Sequence, residues 1–266
     1  MNKQETKIIR WGILGLGHIA HKFSQDLATV EGAELYAVAS RSKEKATSFA
    51  KEFQVSNSYD SYELLVKDPA IDAIYIATPH SFHKEHTIIC LQHKKAVLCE
   101  KPFAMNLKQV QTMILTAKTK KIFLMEALWT RFIPATNKVL ELVESNTIGD
   151  IHKLTANFGY KATTDPSSRL IAKELGGGSL LDIGIYPIFL SQLFIGKPET
   201  IKAKAQMMAN GIDETCSIEM FFKNGATAQL TSTFLEQTSN EAVLYGSKGS
   251  ITMHAPFHHT EILTIE

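Results

Sequence analysis

The chain has 266 residues, of which 44% are hydrophobic and 21% charged, a globular composition that excludes a disordered or collagenous protein. Its 28 Lys and Arg against 27 Asp and Glu leave a formal charge of +1, with no electrostatic footprint for nucleic acid or an anionic membrane. That length suffices for one large domain or two smaller ones, each with its own core.

The first half alternates short β-type runs with helical ones. Residues 8–14 form a buried strand candidate, followed by a Gly-rich turn and an amphipathic run over 19–30. A second strand at 33–39 precedes a Lys/Glu-rich helix over 42–53, and further strands are predicted at 73–78, 96–100 and 122–127. Helical patterns at 81–94 and 107–120 separate them, the latter with Asn106 set as an N-cap. Strands apolar on both faces and separated by helices predict a doubly wound parallel sheet of the Rossmann type. After about residue 128 the texture changes. A helix at 135–146 leads to a long strand at 150–160 and a bend at Gly176-Gly177-Gly178. Strands then follow at 201–209, 216–222, 226–234 and 242–245, with Asn224-Gly225 as a hairpin signal and a second turn at Gly246-Ser247-Lys248-Gly249. The expected architecture is α/β over 1–128, then an α+β domain over 129–266 on a largely antiparallel, open-faced sheet.

Cys90, Cys99 and Cys216 form no CxxC pair, so they read as small buried apolar residues rather than a disulfide frame or zinc site. Residues 1–12 carry no apolar signal region. The most apolar stretch, 180–195, is broken by Asp182 and Pro187 and reads as too short to span a bilayer. A cytoplasmic location without a membrane or nucleic-acid partner is the expectation. The 10 histidines form no metal-binding helix pair backed by carboxylates, and His258-His259 read as a surface loop.

Gly15-Leu16-Gly17-His18-Ile19-Ala20 fits G-x-G-x-x-A between a strand and a helix. The first Gly permits the tight turn, the second lets backbone approach a pyrophosphate, and the small Ala20 lets the helix pack close. The N–H groups of the helix start, from His18 and Ile19 onward, would face the phosphates. An NAD site would place an acid about 20 residues on, to hold the ribose 2′-hydroxyl. Here the second strand ends in Ala39-Ser40-Arg41-Ser42. Ser40 and Arg41 can hydrogen-bond and neutralise a 2′-phosphate, which favours NADP, although Arg41 also fits a solvated helix-start cation.

Two further segments carry candidate chemistry. Glu100-Lys101-Pro102 lies at the carboxyl end of a parallel strand, where doubly wound sheets bind ligands, and its proline is a candidate for a cis bond. In Leu180-Leu181-Asp182-Ile183-Gly184-Ile185-Tyr186-Pro187, helical spacing puts a carboxylate and a phenol on one face. Taken singly, Lys101 as a surface cation, Asp182 as a cap and Tyr186 as a core aromatic are the better readings.

Together with Ala77-Thr78-Pro79-His80, His83 and Met125-Glu126-Ala127-Leu128-Trp129-Thr130-Arg131-Phe132, these strings stand in a specific order over nearly the whole chain. The chain thereby resembles the glucose–fructose oxidoreductase/inositol dehydrogenase/MocA family, and within it the dimeric dihydrodiol dehydrogenase and NADP-dependent D-xylose dehydrogenase branch. His80, where most of the family has Asn, and Tyr186, where most has His, are similar to that branch. The resemblance implies that Thr78, Pro79 and His83 line the cofactor channel. It also implies that Glu100 and Lys101 form the EKP motif, with Lys101 reaching ribose and substrate hydroxyl. Trp129, Arg131 and Phe132, with Asp182 and Tyr186, are implied to meet the substrate, though packing alone also accounts for Trp129 and Phe132. Oxidising a hydroxyl needs a base, and a free phenol with a pKa near 10 becomes a better one beside an ammonium. Tyr186 is therefore expected as acid/base, Lys101 as its electrostatic helper and Asp182 as orienter, with Lys101 itself the competing base.

The resemblance implies an NADP-dependent dehydrogenase of a sugar or cyclic diol, dimeric through the open sheet face, where exposed apolar side chains would be the physical signature. The alternatives are an NADPH-dependent carbonyl reductase and a non-catalytic NADP or sugar sensor. Members of the family carry a further helical stretch and a final strand beyond this point. A C-terminal domain shortened at residue 266 is thus implied, with the closing wall of the substrate pocket affected and the cofactor site not.

Overall fold

The computed structural model describes residues 7–163 and 165–266. The chain divides into two compact units, Met1–Ala127 and Leu128–Glu266.

The first unit runs β1 (Ile9–Leu14), α1 (His18–Leu27), β2 (Ala33–Ala39), α2 (Lys43–Glu52), β3 (Asn57–Tyr59), α3 (Tyr62–Lys67), β4 (Ala73–Ile76), α4 (His83–Gln92), β5 (Ala96–Glu100), α5 (Leu107–Lys120) and β6 (Leu124–Ala127). All six strands are parallel, in the order β3-β2-β1-β4-β5-β6. The order reverses between β1 and β4, which opens a crevice at the carboxyl ends of those strands. β4 is buried at all four positions because helices cover both faces of the sheet. Short polar side chains start α2, α3 and α5, as expected for orphan N–H groups: Ser42 accepts from the Lys45 amide, Ser61 from Leu64 and Asn106 from Gln109. β3 and α3 are additions to the sequence expectation. Three residues reading Asn-Ser-Tyr carry too little apolar pattern to announce a strand.

The second unit comprises α6 (Pro134–Glu144), β7 (Ile151–Gly159), α7 (Ile185–Phe194), β8 (Thr200–Met207), β9 (Asp213–Phe221), β10 (Thr227–Thr233), β11 (Ala242–Gly246), β12 (Gly249–Met253) and β13 (Leu263–Ile265). Its seven-stranded sheet has the order β13-β12-β11-β7-β10-β9-β8, antiparallel throughout except for the β7–β10 pair. One face is covered by the α7 helix, with Ile183, Tyr186, Leu190 and Phe194 packed on Leu154, Ile218, Met220 and Leu230. Each fully buried aliphatic side chain there, such as Leu154 or Leu190, contributes about 1.5–3 kcal/mol. Cys90, Cys99 and Cys216 are all free and buried.

One expectation is corrected here. The run Lys173–Phe194 spans 22 residues and by length and composition is apolar enough to cross a membrane, although Gly176 in the left-handed region and Gly178 at φ +124° separate its short start at Lys173–Leu175 from the turn at Leu180. Over half of its window is buried inside the unit. On the open face of the sheet, Lys202, Lys204, Ser217, Glu219, Gln229 and Thr231 line a shallow depression of about 490 Å³ together with Ala203, Ile218 and Leu230, and Ile201, Met207 and Tyr245 on strands of the same sheet are exposed. The alternation of β9 and β10 explains this, since every second residue turns inward to the helix and its neighbours outward.

Candidate active site

In the first unit the glycine turn sits at the switch point. Gly15 adopts φ +93°, and a Cβ there would lie 2.8–2.9 Å from Thr78 Cγ2 and the Ala77 carbonyl, so only glycine passes between β1 and β4. At Gly17 a Cβ would meet nothing within 4 Å. Gly17 is also the N-cap of α1, and no side chain caps that helix. An open space before an uncapped helix start is what a dinucleotide pyrophosphate requires, so the residues present fit such a group. Ala20 is fully buried, consistent with close helix–sheet packing.

Beside this turn lies a cleft of about 300 Å³ lined by Arg41, Ser61, Tyr62, Pro79, Phe82 and His86, with Asp60, Glu63, Glu85 and Thr78 completing it. The Arg41 guanidinium lies over the Phe82 ring at 5.8 Å, and Phe82 stacks on His86 at 5.7 Å. Ser40 is buried, its Oγ accepting from the Ser42 amide at 3.2 Å. Thr78 Oγ1 pairs with His86 Nδ1 at 2.9 Å. Burial holds the His86 pKa down to about 4, reinforced by the charges of His83 and Arg41.

β5 delivers Lys101 at its carboxyl end, and the Lys101–Pro102 bond is cis, as the motif suggested. His83 is 0% exposed, with Nδ1 2.8 Å from the Pro102 carbonyl and Nε2 2.8 Å from the Thr78 carbonyl. His83 thus meets backbone rather than an open channel, and ties the end of β4 to the Lys101 turn. Tyr75 Oη donates to Glu100 Oε1, and Glu126 Oε1 accepts from the Phe103 amide at 2.7 Å.

In the second unit, Leu180–Gly184 forms a π-helical turn that runs into α7. The wider turn changes the relative direction of Asp182 and Tyr186 from the α-helical spacing expected, at a position where such bulges often serve function. Asp182 is 3% exposed, and Arg169 Nη1 donates to its Oδ1 at 3.0 Å. Tyr160 Oη donates to Oδ2 at 3.5 Å. Burial, then the Asp182 charge, pushes the Tyr160 pKa above the phenol range, so Tyr160 is a donor at any physiological pH. Tyr186 is 5% exposed and packs on Phe158 and His258, with ring centroids at 5.7 and 4.8 Å. Trp129 stacks on the other side of this group at 6.1 Å from His258. Phe132 is exposed, and Arg131 donates to Asn137 Oδ1 at 2.9 Å. His258 is therefore part of an aromatic group around Tyr186, not a surface loop; the short helix Phe257–His259 turns it inward.

Tyr160 and Arg169 escaped sequence reasoning because tertiary packing alone brings them to Asp182. Asp213, at the start of β9, is another: its Oδ2 accepts from Ser179 Oγ at 2.8 Å and from the Leu180 amide at 2.6 Å, capping the turn that carries Asp182. Asp213→Ala is expected to cost about 2 kcal/mol of stability through these charge-assisted bonds, measurable by urea unfolding. Among the described residues, no three His, Cys, Asp or Glu side chains are grouped to hold a metal ion.

A Rossmann unit with an open glycine turn, joined to a sheet unit carrying a buried Asp and Tyr, defines a dinucleotide-dependent oxidoreductase. Residues 9–128 match the family model described as "Oxidoreductase family, NAD-binding Rossmann fold", and residues 136–252 match the GFO/IDH/MocA C-terminal domain. The chain belongs to the Gfo/Idh/MocA oxidoreductase family. It is 40% identical over 246 residues to a trans-1,2-dihydrobenzene-1,2-diol dehydrogenase of Xenopus tropicalis, covering 91% of this chain and 74% of the relative. The aldose-aldose oxidoreductase of Caulobacter crescentus, complexed with glycerol, superposes with a TM-score of 0.89 at 25% identity, over 97% of this chain and 80% of that one. The 3-ketoreductase KijD10 of Actinomadura kijaniata, in complex with NADP and TDP-benzene, gives 0.86 at 26% identity, over 97% and 83%.

Proposed function

We propose that this chain is an NADP-dependent dehydrogenase acting on a hydroxyl of a sugar or a cyclic diol. The observation that carries the reading is the glycine turn open at Gly17, followed at the end of β2 by Ser40-Arg41 where an NAD site has an acid. The relatives named for a cyclic diol and for aldoses support the substrate class, and the NADP complex of KijD10 supports the cofactor.

Gly15, Gly17, His18, Ile19 and Ala20 would hold the pyrophosphate, Ser40 and Arg41 the 2′-phosphate, and Thr78, Pro79, Glu100 and Lys101 the ribose and nicotinamide end. When bound, the nicotinamide supplies the acceptor for the hydride. As the phenolate that a nearby ammonium favours, Tyr186 would take the hydroxyl proton at its Oη, and as the phenol it would return it in the reverse reduction; Asp182 orients the substrate. Lys101 binds the reacting hydroxyl, and Trp129, Arg131 and Phe132 form the substrate wall. His83 contributes by holding the Thr78 and Pro102 carbonyls.

Nicotinamide absorbance followed with NADP and NAD against aldoses, inositols and cyclic diols tests the reading. Reduction of NADP by one of these classes, faster than of NAD, is the expected result; no turnover with any of them overturns it. Arg41→Ala is expected to weaken NADP binding about tenfold or more while leaving NAD binding unchanged, as measured by protein fluorescence. Equal affinity of the wild type for both dinucleotides would remove the 2′-phosphate assignment, as the acids Asp60, Glu63 and Glu85 along the same cleft would favour.

A homodimer through the open sheet face is part of the proposal. The mixed charges Lys202, Lys204 and Glu219 on that face can pair across a two-fold axis. A cytoplasmic location is proposed as well, consistent with three free buried thiols.

A further inference from the structure

We propose that Arg169 is a positioning residue for the reaction, its guanidinium fixing the Asp182 carboxylate in the place from which that carboxylate orients the substrate. The inference rests on the role given to Asp182 above, and adds a residue to it.

Asp182 stands on the π-helical turn Leu180–Gly184 and is buried, so its carboxylate has given up most of its water. A carboxylate in that position needs a partner, and Arg169 Nη1 is one, donating to Oδ1 at 3.0 Å. Tyr160 Oη reaches the other oxygen at 3.5 Å, the edge of hydrogen-bond range. The shorter, charge-assisted bond from Arg169 therefore dominates the orientation of the carboxylate plane. Asp213 holds the turn itself, through Ser179 Oγ and the Leu180 amide. That contact places the Asp182 backbone, whereas the side-chain torsions are set by the bonds to the carboxylate.

The loop that carries Arg169 is built to keep one position. Asp165 Oδ1 accepts from the Ser167 amide at 2.9 Å, and the Ser168 carbonyl accepts from the Ile171 and Ala172 amides at 3.1 and 2.9 Å. The loop is tied in turn to the glycine bend that leads into the π-helical turn. The Leu170 carbonyl accepts from the Gly178 amide at 2.9 Å, and the Ala172 carbonyl from Gly177 at 3.0 Å. A Cβ at Gly177 would lie 2.7 Å from the Leu170 carbonyl oxygen, so glycine is what lets the two segments approach. Asn210 Nδ2 holds the loop from another side, donating to the Ile171 carbonyl at 2.7 Å. Arg169 and Asp182 thus project from two segments whose backbones are bonded to each other nearby. Their pairing is preorganised by the fold.

A double-mutant cycle separates an action through Asp182 from a purely structural one. In Arg169→Met, kcat is expected to fall about tenfold to a hundredfold, with KM for NADP held. On an Asp182→Asn background the same substitution should bring no further loss, because the charged group it positions is gone. The Arg169 side chain is half-exposed, so guanidinium ion can reach the place it vacates. Millimolar guanidinium should restore part of the kcat of Arg169→Met and none of that of the double variant. A variant slowed only by a loosened fold would not gain from a denaturing ion. Where Arg169→Met does not fold, Arg169→Lys carries the same cycle. It keeps a cation beside the buried carboxylate but loses the planar fork, and kcat should fall about threefold to tenfold. Wild-type kcat in the Arg169 variants, or a loss that multiplies in full with that of Asp182→Asn, overturns the proposal. Wild-type kcat in Asp182→Asn would instead sink the role of Asp182 itself, the reading on which the proposal rests.

Discussion

Tyr186→Phe is expected to lower turnover by about a thousandfold while leaving dinucleotide affinity unchanged. The ring is 5% exposed and packed between Phe158 and His258, so phenylalanine keeps every ring contact and loses only Oη. A loss of rate at unchanged NADP affinity therefore reports the proton transfer. Nicotinamide absorbance measures the rate, and protein fluorescence quenching by NADP measures binding on the same sample. Tyr160 cannot take over, because burial and the Asp182 carboxylate keep its phenol protonated at any physiological pH. Wild-type rates in this variant would pass the base to Lys101. A loss of NADP binding in parallel with rate would instead make Tyr186 a binding residue.

The contrast between Tyr160 and Tyr186 also marks where the sequence stopped being legible. Strings with local meaning were readable: the glycine turn, the Asn106 cap, the EKP turn with its proline, and the alternation that builds the sheet of the second unit. Each depends on backbone geometry or periodicity within a few residues. What could not be read depends on packing between distant segments. Arg169 reaches Asp182 from a separate loop, and Asp213 caps the Ser179–Leu180 start from the first residue of β9. The π turn at Leu180–Gly184 has no periodic signature, since its extra residue per turn shows only against an α-helical frame. His258 failed for a related reason. A His pair in a polar stretch reads as surface, and only the fold brings Phe158 and Tyr186 against it.

Acid is expected to unfold the first unit partly through one ring, His86. Its folded pKa is held at about 4 by burial, with His83 and Arg41 adding, against an ordinary value of 6.5. The unfolded chain therefore binds a proton at this ring before the folded chain does, and folding stability falls as pH drops through that interval. The contribution is fully present above pH 6.5 and exhausted below about pH 4. Its size is about 3 kcal/mol, from the gap between the two values. Urea unfolding at intervals across that range should show the fall in the wild type, and a fall smaller by about that amount in His86→Gln. Equal slopes would mean that the ring is already charged in the fold. Arg41 in the same cleft is proposed to hold the 2′-phosphate of NADP, which links the two equilibria. A 2′-phosphate near Arg41 favours a cation on the neighbouring ring, so saturating NADP should raise the folded pKa of His86 and reduce the acid loss. NAD, lacking that phosphate, should protect less, and the difference between the two dinucleotides reads the cofactor preference without any turnover.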